Sequence, residues 1–308
     1  MVKKYYSTKF NLFKSEKINK IPFESFGGLR SNGFYKKDQT NSELPLFSVI
    51  TVVYNNVDRI KRCMNSVFNQ SYQNIEYIII DGKSNDGTLE LIKKEEEYID
   101  LWISEKDLGI YDAINKGINL AKGFTLMLHS DDKLNCDNTL KNISKYFNNN
   151  YKLYFGKVEN YNDLVKWTYP NVSSIGQNWF LTNNIPHQST FIFYDLHKNF
   201  LFKDKRLSIG NDALVLGKIA QRYEAVFIDE VITKVELGGD SNNWQSLSRV
   251  YDYNYQTFIV NKELGRKTSY LALIYQNIRS SIQYFVFKYL GRKYFYKFFY
   301  RKYIKKND

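Results

Sequence analysis

The feature that most constrains the fold is a short run, FSVITVV (47–53), mostly apolar and rich in β-branched residues. It is too short for a buried helix and lacks the alternation of a strand with one wet face, so it reads as a strand covered on both sides, as in a parallel sheet. The pattern recurs at IEYIII (75–80), LWIS (101–104) and FTLMLHS (124–130). Helical spacing separates these runs. Val57, Ile60, Cys63, Met64 and Val67 share one face, a helix over Leu89–Tyr98 follows a cap at Ser84 or Asp86, and Gly109–Ala121 repeats through Ile110, Ala113, Ile114, Ile118 and Ala121. Four alternations with short connections predict an α/β fold, a mostly parallel, Rossmann-like sheet with helices on both faces.

From 151 onward the pattern loosens. Strand-like pieces at 151–158, 189–194 and 225–228 and a helix from Asp212 to Arg222 predict a mixed half, and the last stretch is helical again.

Polar residues gather where each strand of the first half ends: Asn55 and Asn56, then Asp81, then Glu105 and Asp107, then Asp131 and Asp132. Ligands of open α/β sheets bind beyond the carboxyl ends of the strands. No G-x-x-x-x-G-K loop, no G-x-G-x-x-G after a strand and no G-x-S-x-G elbow is present, which argues against the common nucleotide hydrolases, dinucleotide enzymes and serine hydrolases. His129, His187 and His197 do not share a metal-ligand spacing with one another or with Cys63 and Cys136. Adjacent carboxylates closing a buried strand repel each other and call for a counter-charge, which a hard divalent cation supplies. Taken alone, Ser130-Asp131-Asp132 reads first as a strand-terminating turn.

Taken together, PLFSVITVVYNN (45–56), IEYIIIDGKSNDGT (75–88), SEKDLGIYDAINKGINLAKG (104–123) and LHSDD (128–132) resemble the family 2 glycosyltransferases of the GT-A fold, in particular their bacterial polysaccharide branch. PHQSTF (186–191), Ile209-Gly210-Asn211-Asp212 and Leu237-Gly238-Gly239-Asp240-Ser241 add to the likeness, which spans roughly 44–240. It implies three regions: an N-terminal extension (1–44), a GT-A domain (45–240) and a C-terminal helical extension (241–308). It also implies inverting transfer from a nucleotide sugar, UDP-linked, to a glycan or lipid-linked acceptor in surface polysaccharide synthesis, with Mn2+ or Mg2+ as cofactor.

Carried over residue by residue, the resemblance puts Thr51, Val53 and Tyr54 along the nucleotide base and Asp81 on the base or ribose, with Ser84 as a further contact. Asp86 fits a helix cap as well as a contact, and Lys83 stands where relatives have a small residue. Asp107, Gly109, Asn115 and Lys116 line the nucleotide-sugar pocket; Asp112 and Lys116 also have the spacing of a helix-face ion pair. Tyr111 fits a packed aromatic or a stacking one. Ser130-Asp131-Asp132 is similar to the family's D-x-D with serine in the first acidic place, giving Asp132 as metal ligand and Asp131 as a sugar or ribose contact. Asp212 is the implied general base, without the second acid that many relatives carry two residues on, since Ala213 and Leu214 follow it. His187 and Gln188 fall on the acceptor side, and His129 reads as a core histidine.

The chain carries 44 Lys+Arg against 32 Asp+Glu, a net +12, but the excess lies at the ends. Residues 266–308 hold 11 bases and one acid and residues 1–46 hold nine bases and four acids, which leaves 47–265 slightly acidic. With 26 Tyr and 22 Phe, the basic C-terminal segment fits peripheral contact with an anionic membrane, a nucleic-acid surface, or a helix packed on the domain with a solvated tail. Peripheral membrane contact is the favoured expectation, and nucleic acid the weakest. Two cysteines without paired spacing, and neither a secretory leader nor a clean apolar span, predict a cytoplasmic protein at the inner face of the membrane.

Overall fold

A computed structural model describes residues 12–14, 23–32, 34–36, 44–148, 150–176, 179–180, 182–237 and 246–303. The parallel heart is β4 (Phe47–Val53), β5 (Ile75–Asp81), β6 (Leu101–Ser104) and β7 (Phe124–Met127), in the order β6-β5-β4-β7. Every residue of β4, β5 and β6 is buried, as strands covered on both faces require.

The covers are α1 (Val57–Phe68), α2 (Thr88–Lys94) and α4 (Thr139–Ser144) on one face, and α3 (Ile110–Leu120), α5 (Tyr194–Lys198) and α6 (Asn211–Ala220) on the other. Alternate residues of β4 divide between them. Phe47, Val49 and Val53 pack under α1, and Ile50 and Val52 under α3. Beyond β7 the sheet continues with β11 (Thr190–Phe193), β9 (Leu153–Tyr161), β12 (Ala225–Glu236) and β8 (Lys133–Leu134), with β10 (Lys166–Tyr169) paired antiparallel to β9. β11 is antiparallel to both neighbours, so this half is mixed, as its sequence predicts.

Boundaries depart from the sequence reading in three places. The helix expected over 89–98 breaks into α2 and a 3-10 turn, Glu96–Tyr98. The strand expected to run to 130 ends at Met127. Leu128 still donates its N–H to Ile50 (2.9 Å), and the next residues leave the sheet as a turn. The strand expected at 225–228 runs on to Glu236, through two register shifts against β9. Residues 238–241, quoted for the late glycine motif, lie outside the described residues.

Part of the expected N-terminal extension joins the sheet. β2 (Ser25–Gly27) pairs antiparallel with β6 at its edge, and outside this sheet β1 (Leu12–Lys14) pairs with β3 (Phe34–Lys36). Arg30, in the turn that follows β2, enters the core beneath α3. It donates to the Leu120 carbonyl (3.0 Å) and pairs with Glu76 of β5, both residues almost fully buried. Glu76 also accepts from Ser48 Oγ (2.6 Å) and the Lys122 N–H (2.9 Å).

C-terminal helices complete the chain: α7 (Leu247–Glu263), α8 (Tyr270–Phe285) and α9 (Gly291–Phe299). α7 meets α6 through Leu207, Leu214, Val260 and Leu264. Among the described residues no helix is long and apolar enough to cross a membrane.

Removing one partner of a buried ion pair strands the other charge in a medium that cannot solvate it. Arg30→Ala is therefore expected to lower unfolding stability by about 3–5 kcal/mol, read from urea denaturation. A loss below 1 kcal/mol would show that the 23–32 segment is not part of the folding unit.

Candidate active site

The carboxyl ends of β4, β5, β6 and β7 form one rim, and the turns that leave them carry the polar residues. After β4 the chain turns at Asn55, whose φ of 47° is left-handed, a conformation that asparagine tolerates. Its backbone N–H donates to Ser84 Oγ (2.8 Å) and its side-chain oxygen accepts from the Asn85 N–H (2.9 Å), which ties the first turn to the second. Asp81 ends β5 almost fully buried. It accepts from Ser84 Oγ (2.5 Å), the Ser84 N–H (3.1 Å) and Ser104 Oγ (2.6 Å). Three donors leave about one lone-pair direction of this carboxylate free.

Gly82 is required by close approach. A Cβ there would stand 2.7 Å from Asp107 Oδ2 and 3.4 Å from Tyr54. Tyr54, Gly82 and Asp107 thus meet at one mouth, with the Tyr54 ring 65% exposed. Asp107 also accepts from the Gly109 N–H (2.9 Å), which shapes the turn into α3.

Several residues named from the sequence are spent on structure. The Thr51 hydroxyl points into the core, 3.1 Å from Tyr77 Oη, so its side chain does not reach the rim; Val53 is likewise packed under α1. Asp86 accepts from the Val57 N–H (3.1 Å), the Thr88 N–H (3.0 Å) and Thr88 Oγ1 (2.6 Å), so it ties the starts of α1 and α2 together; the N-cap of α2 itself is Gly87, which has no side-chain hydrogen bond. Asn115 exchanges two hydrogen bonds with the Phe202 backbone (2.8 and 2.9 Å), which locks the 199–207 loop onto α3. Lys116 pairs with Glu105 (2.6 Å) and Asp112 (3.2 Å). Burial pulls its ammonium pKa down, but the two carboxylates outweigh this and hold it up.

The turn after β7 brings the acids together. The Asp132 N–H donates to the His129 carbonyl (2.9 Å), and Asn56 Nδ2 donates to Ser130 Oγ (2.8 Å) across the gap between β4 and β7. Asp131 lies 3.8 Å from Arg59 of α1, and its carbonyl accepts from Arg62 (3.2 Å), which also pairs with Glu236 (2.5 Å). Asp132 is 2% exposed, and its Oδ2 has no hydrogen-bond partner. Burial, and then the Asp131 charge, push its carboxyl well above the usual range. A buried, unpartnered carboxylate oxygen beside a second acid suits a hard cation. Among the described residues no group of three potential ligands surrounds it, so such an ion would take its remaining ligands from a diphosphate and water, as Mg2+ commonly does.

A second polar chain runs from the same turn. His129 Nε2 lies 2.9 Å from His187 Nε2, His187 Nδ1 lies 2.7 Å from Asp212 Oδ2, and the Tyr111 hydroxyl donates to Asp212 Oδ1 (3.0 Å). Tyr111 also accepts from the Asn211 N–H (3.1 Å) and stacks on Phe202 at 5.4 Å. It is therefore packed and also bonded to the carboxylate, a role that its spacing alone did not reveal. Burial opposes ionisation of Asp212, but the His187 ring and the Tyr111 hydroxyl overcome it and hold the carboxyl well below its usual range. His129, read as a core histidine, is only half-buried and is the far end of this chain. Gln188, next to His187, lines a shallow cavity of about 450 Å3 with Asn160, Trp167, Tyr169, Asn183 and Asn184.

A glycosyl transferase family 2 model matches residues 48–210. An uncharacterised glycosyltransferase of Mycobacterium tuberculosis is 43% identical over 91 residues, 29% of this chain, and the chain spans only 35% of that protein's length. Among solved structures, S. aureus TarS 1-349 in complex with UDP-GlcNAc superposes with a TM-score of 0.56 at 17% identity, covering 82% of this chain and 75% of that one. The mannosyltransferase PcManGT from Pyrobaculum calidifontis, in complex with GDP-Man and Mn2+, gives 0.55 at 18%, covering 73% and 66%. These likenesses show the fold, which is GT-A.

Burial, and then the His187 charge, depress the His129 imidazole to about 3, and burial depresses His197 to about 3. An unfolded histidine takes its proton near pH 6.5, so between about pH 6.5 and 3 the unfolded chain binds more protons and stability falls as pH falls. The urea midpoint is expected to be lower at pH 5 than at pH 7.5, and His129→Asn to narrow that gap; equal midpoints would show that these rings are not held neutral.

The family model covers more than half of the sequence, and the sheet, the strand-end acids and the residues it matches agree, so the chain belongs to glycosyltransferase family 2.

Proposed function

We propose that the protein is a metal-dependent, inverting hexosyltransferase that moves a sugar from a nucleotide sugar, UDP-linked, onto a glycan or lipid-linked acceptor in surface polysaccharide synthesis. The observation that carries this reading is the Asp212 carboxylate, kept ionised between His187 and Tyr111 across from the acidic turn. An ionised, partly exposed carboxylate is in the protonation state that a general base needs, and the two groups that keep it ionised also lower its basicity.

On the donor side, the exposed Tyr54 ring offers a stacking face to the nucleotide base, and the remaining lone pair of Asp81 accepts from a base N–H or ribose hydroxyl. Ser84 holds Asp81 and Asn55 in place, and Asp107, Gly109 and Asp131 border the sugar and ribose. Lys116 and Asn115 act through their partners, setting the 105–112 turn and the 199–207 loop. Asp132 would hold Mn2+ or Mg2+, which when bound supplies positive charge to the departing diphosphate.

On the acceptor side, Trp167 and Tyr169 supply aromatic faces and Gln188, Asn160 and Asn184 supply amides, a combination suited to a sugar. Asp212 takes the proton of the acceptor hydroxyl as its oxygen bonds to the anomeric carbon. The bond from that carbon to the diphosphate breaks, and the nucleoside diphosphate leaves with the electron pair. Attack from the face opposite the leaving group inverts the anomeric configuration.

Asp212→Asn is expected to lower transfer from a panel of nucleotide sugars by about 10²–10⁴-fold while donor affinity stays unchanged. Asp132→Ala should instead remove the thermal stabilisation given by UDP with Mn2+. Undiminished transfer in both variants would overturn these roles.

His187 also sets the working range of the base. Because it lowers the Asp212 carboxyl, His187→Leu should raise it and move the acid limb of the kcat/KM profile toward neutral pH. An unmoved limb would mean that the ring only packs there.

A further inference from the structure

The C-terminal helices turn an apolar face away from the protein. Along α8, Leu271, Ile274, Tyr275, Ile278, Ile282 and Phe285 recur at spacings of three and four, which puts them on one stripe. All six are exposed, from 46% at Phe285 to 78% at Leu271. Such a stripe normally faces a core. Here the opposite side of α8 carries the packing: Ser280 and Tyr284 are buried, Ser281 Oγ lies 2.8 Å from Tyr251 Oη, and Asn277 accepts from Asn254 Nδ2 (2.9 Å) of α7. The helix is fixed by its polar side and leaves its apolar side outward, the reverse of a solvated surface helix.

The face continues and is framed by one sign of charge. Tyr289, Leu290, Tyr294 and Phe298 are exposed beyond α8. Residues 264–303 contain no Asp or Glu, whereas Lys267, Arg279, Lys288, Lys293, Lys297 and Lys302 are exposed. Contiguous apolar surface on this scale marks an interaction site. A protein partner would be expected to bring acids only at chosen places, whereas a stripe about 24 Å long, rimmed along its length by bases and aromatics, matches a lipid interface with anionic headgroups.

The face is also held near the acceptor side. Arg292 of α9 pairs with Asp163 in the β9–β10 turn, Trp167 of β10 packs against Tyr300 (5.2 Å) and Tyr303 (5.4 Å), and Val260 of α7 packs on Leu214 of α6, the helix that carries Asp212. The C-terminal helices therefore connect the exposed stripe to the cavity at Trp167 and to the carboxylate.

We propose that the outward stripe of α8, continued by α9, seats the protein on an anionic lipid surface, its apolar side chains entering the interface and its lysines meeting the headgroups. The corollary, that an acceptor is presented from that surface to Asp212, rests on the glycosyltransferase reading; the seating itself does not.

Flotation of the full chain with phosphatidylcholine vesicles, with and without phosphatidylglycerol, tests this in the absence of any donor. Binding should appear with phosphatidylglycerol and fade with salt. The triple replacement Ile274→Ser, Ile278→Ser and Ile282→Ser should weaken it at least about tenfold, since the three side chains carry much of the buried apolar area. These positions are exposed, so the triple variant should keep the parent melting temperature and the parent affinity for UDP with Mn2+ in lipid-free solution. Absence of flotation at low salt would overturn the proposal, as would flotation unaffected by the triple replacement. A lipid-free dimer that the triple replacement dissociates would assign the face to a second copy and overturn it as well. Loss of donor affinity in the parent chain would instead count against the glycosyltransferase reading, leaving the vesicle result standing.

Discussion

Covering the central strands on both faces is the constraint from which the rest follows. With Phe47, Val49 and Val53 committed to α1 and Ile50 and Val52 to α3, β4 has no side on which a polar residue meets water. Chemistry is therefore pushed to the strand ends, where backbone leaves the sheet and carboxylates find donors. Asp81, Asp107, Asp131 and Asp132 sit on one rim for that reason, and parallel pairing of β4 with both β5 and β7 keeps their ends at the same level. Where charge does enter the core, it is neutralised locally. Glu76, facing α3 from the start of β5, has Arg30, Ser48 and the Lys122 N–H around it.

Much of this was legible in the sequence because it rests on short-range pattern. The apolar runs, their helical spacers and the polar strand ends are local, and the fold class and family follow from them. The side-chain assignments were less uniform. Thr51 is instructive: counting by twos from Phe47 and Val49 puts it on the α1 face, where its hydroxyl in fact meets Tyr77, so strand periodicity contained the answer that motif likeness obscured. Asn115 could not be read in the same way. Its partner, the Phe202 backbone, is 87 residues away and belongs to a loop with no periodic signal.

The histidine chain shows the same limit. His129, His187, Asp212 and Tyr111 come from four separate elements, and no spacing predicts that they meet. The available signals were only that His187 opens PHQSTF and that Asp212 stands alone in its motif, without a second acid. The structure supplies the reason a lone acid suffices for a stable charge. A histidine ring nitrogen and a tyrosine hydroxyl take one carboxylate oxygen each, and a half-buried carboxylate with two such partners stays ionised more readily than an unassisted one.

The two acids facing the rim are thus prepared in opposite ways. Asp212 is satisfied by the protein itself and needs no ligand to be charged. Asp132, buried with one oxygen unpartnered and repelled by Asp131, is destabilising as a carboxylate until positive charge arrives. Positive charge placed beside Asp132 would relieve that repulsion and so favour the folded chain. The chain keeps one carboxylate charged in advance and leaves the other in want of a counter-charge, an asymmetry that arises from which of them it gives hydrogen-bond donors and which it does not.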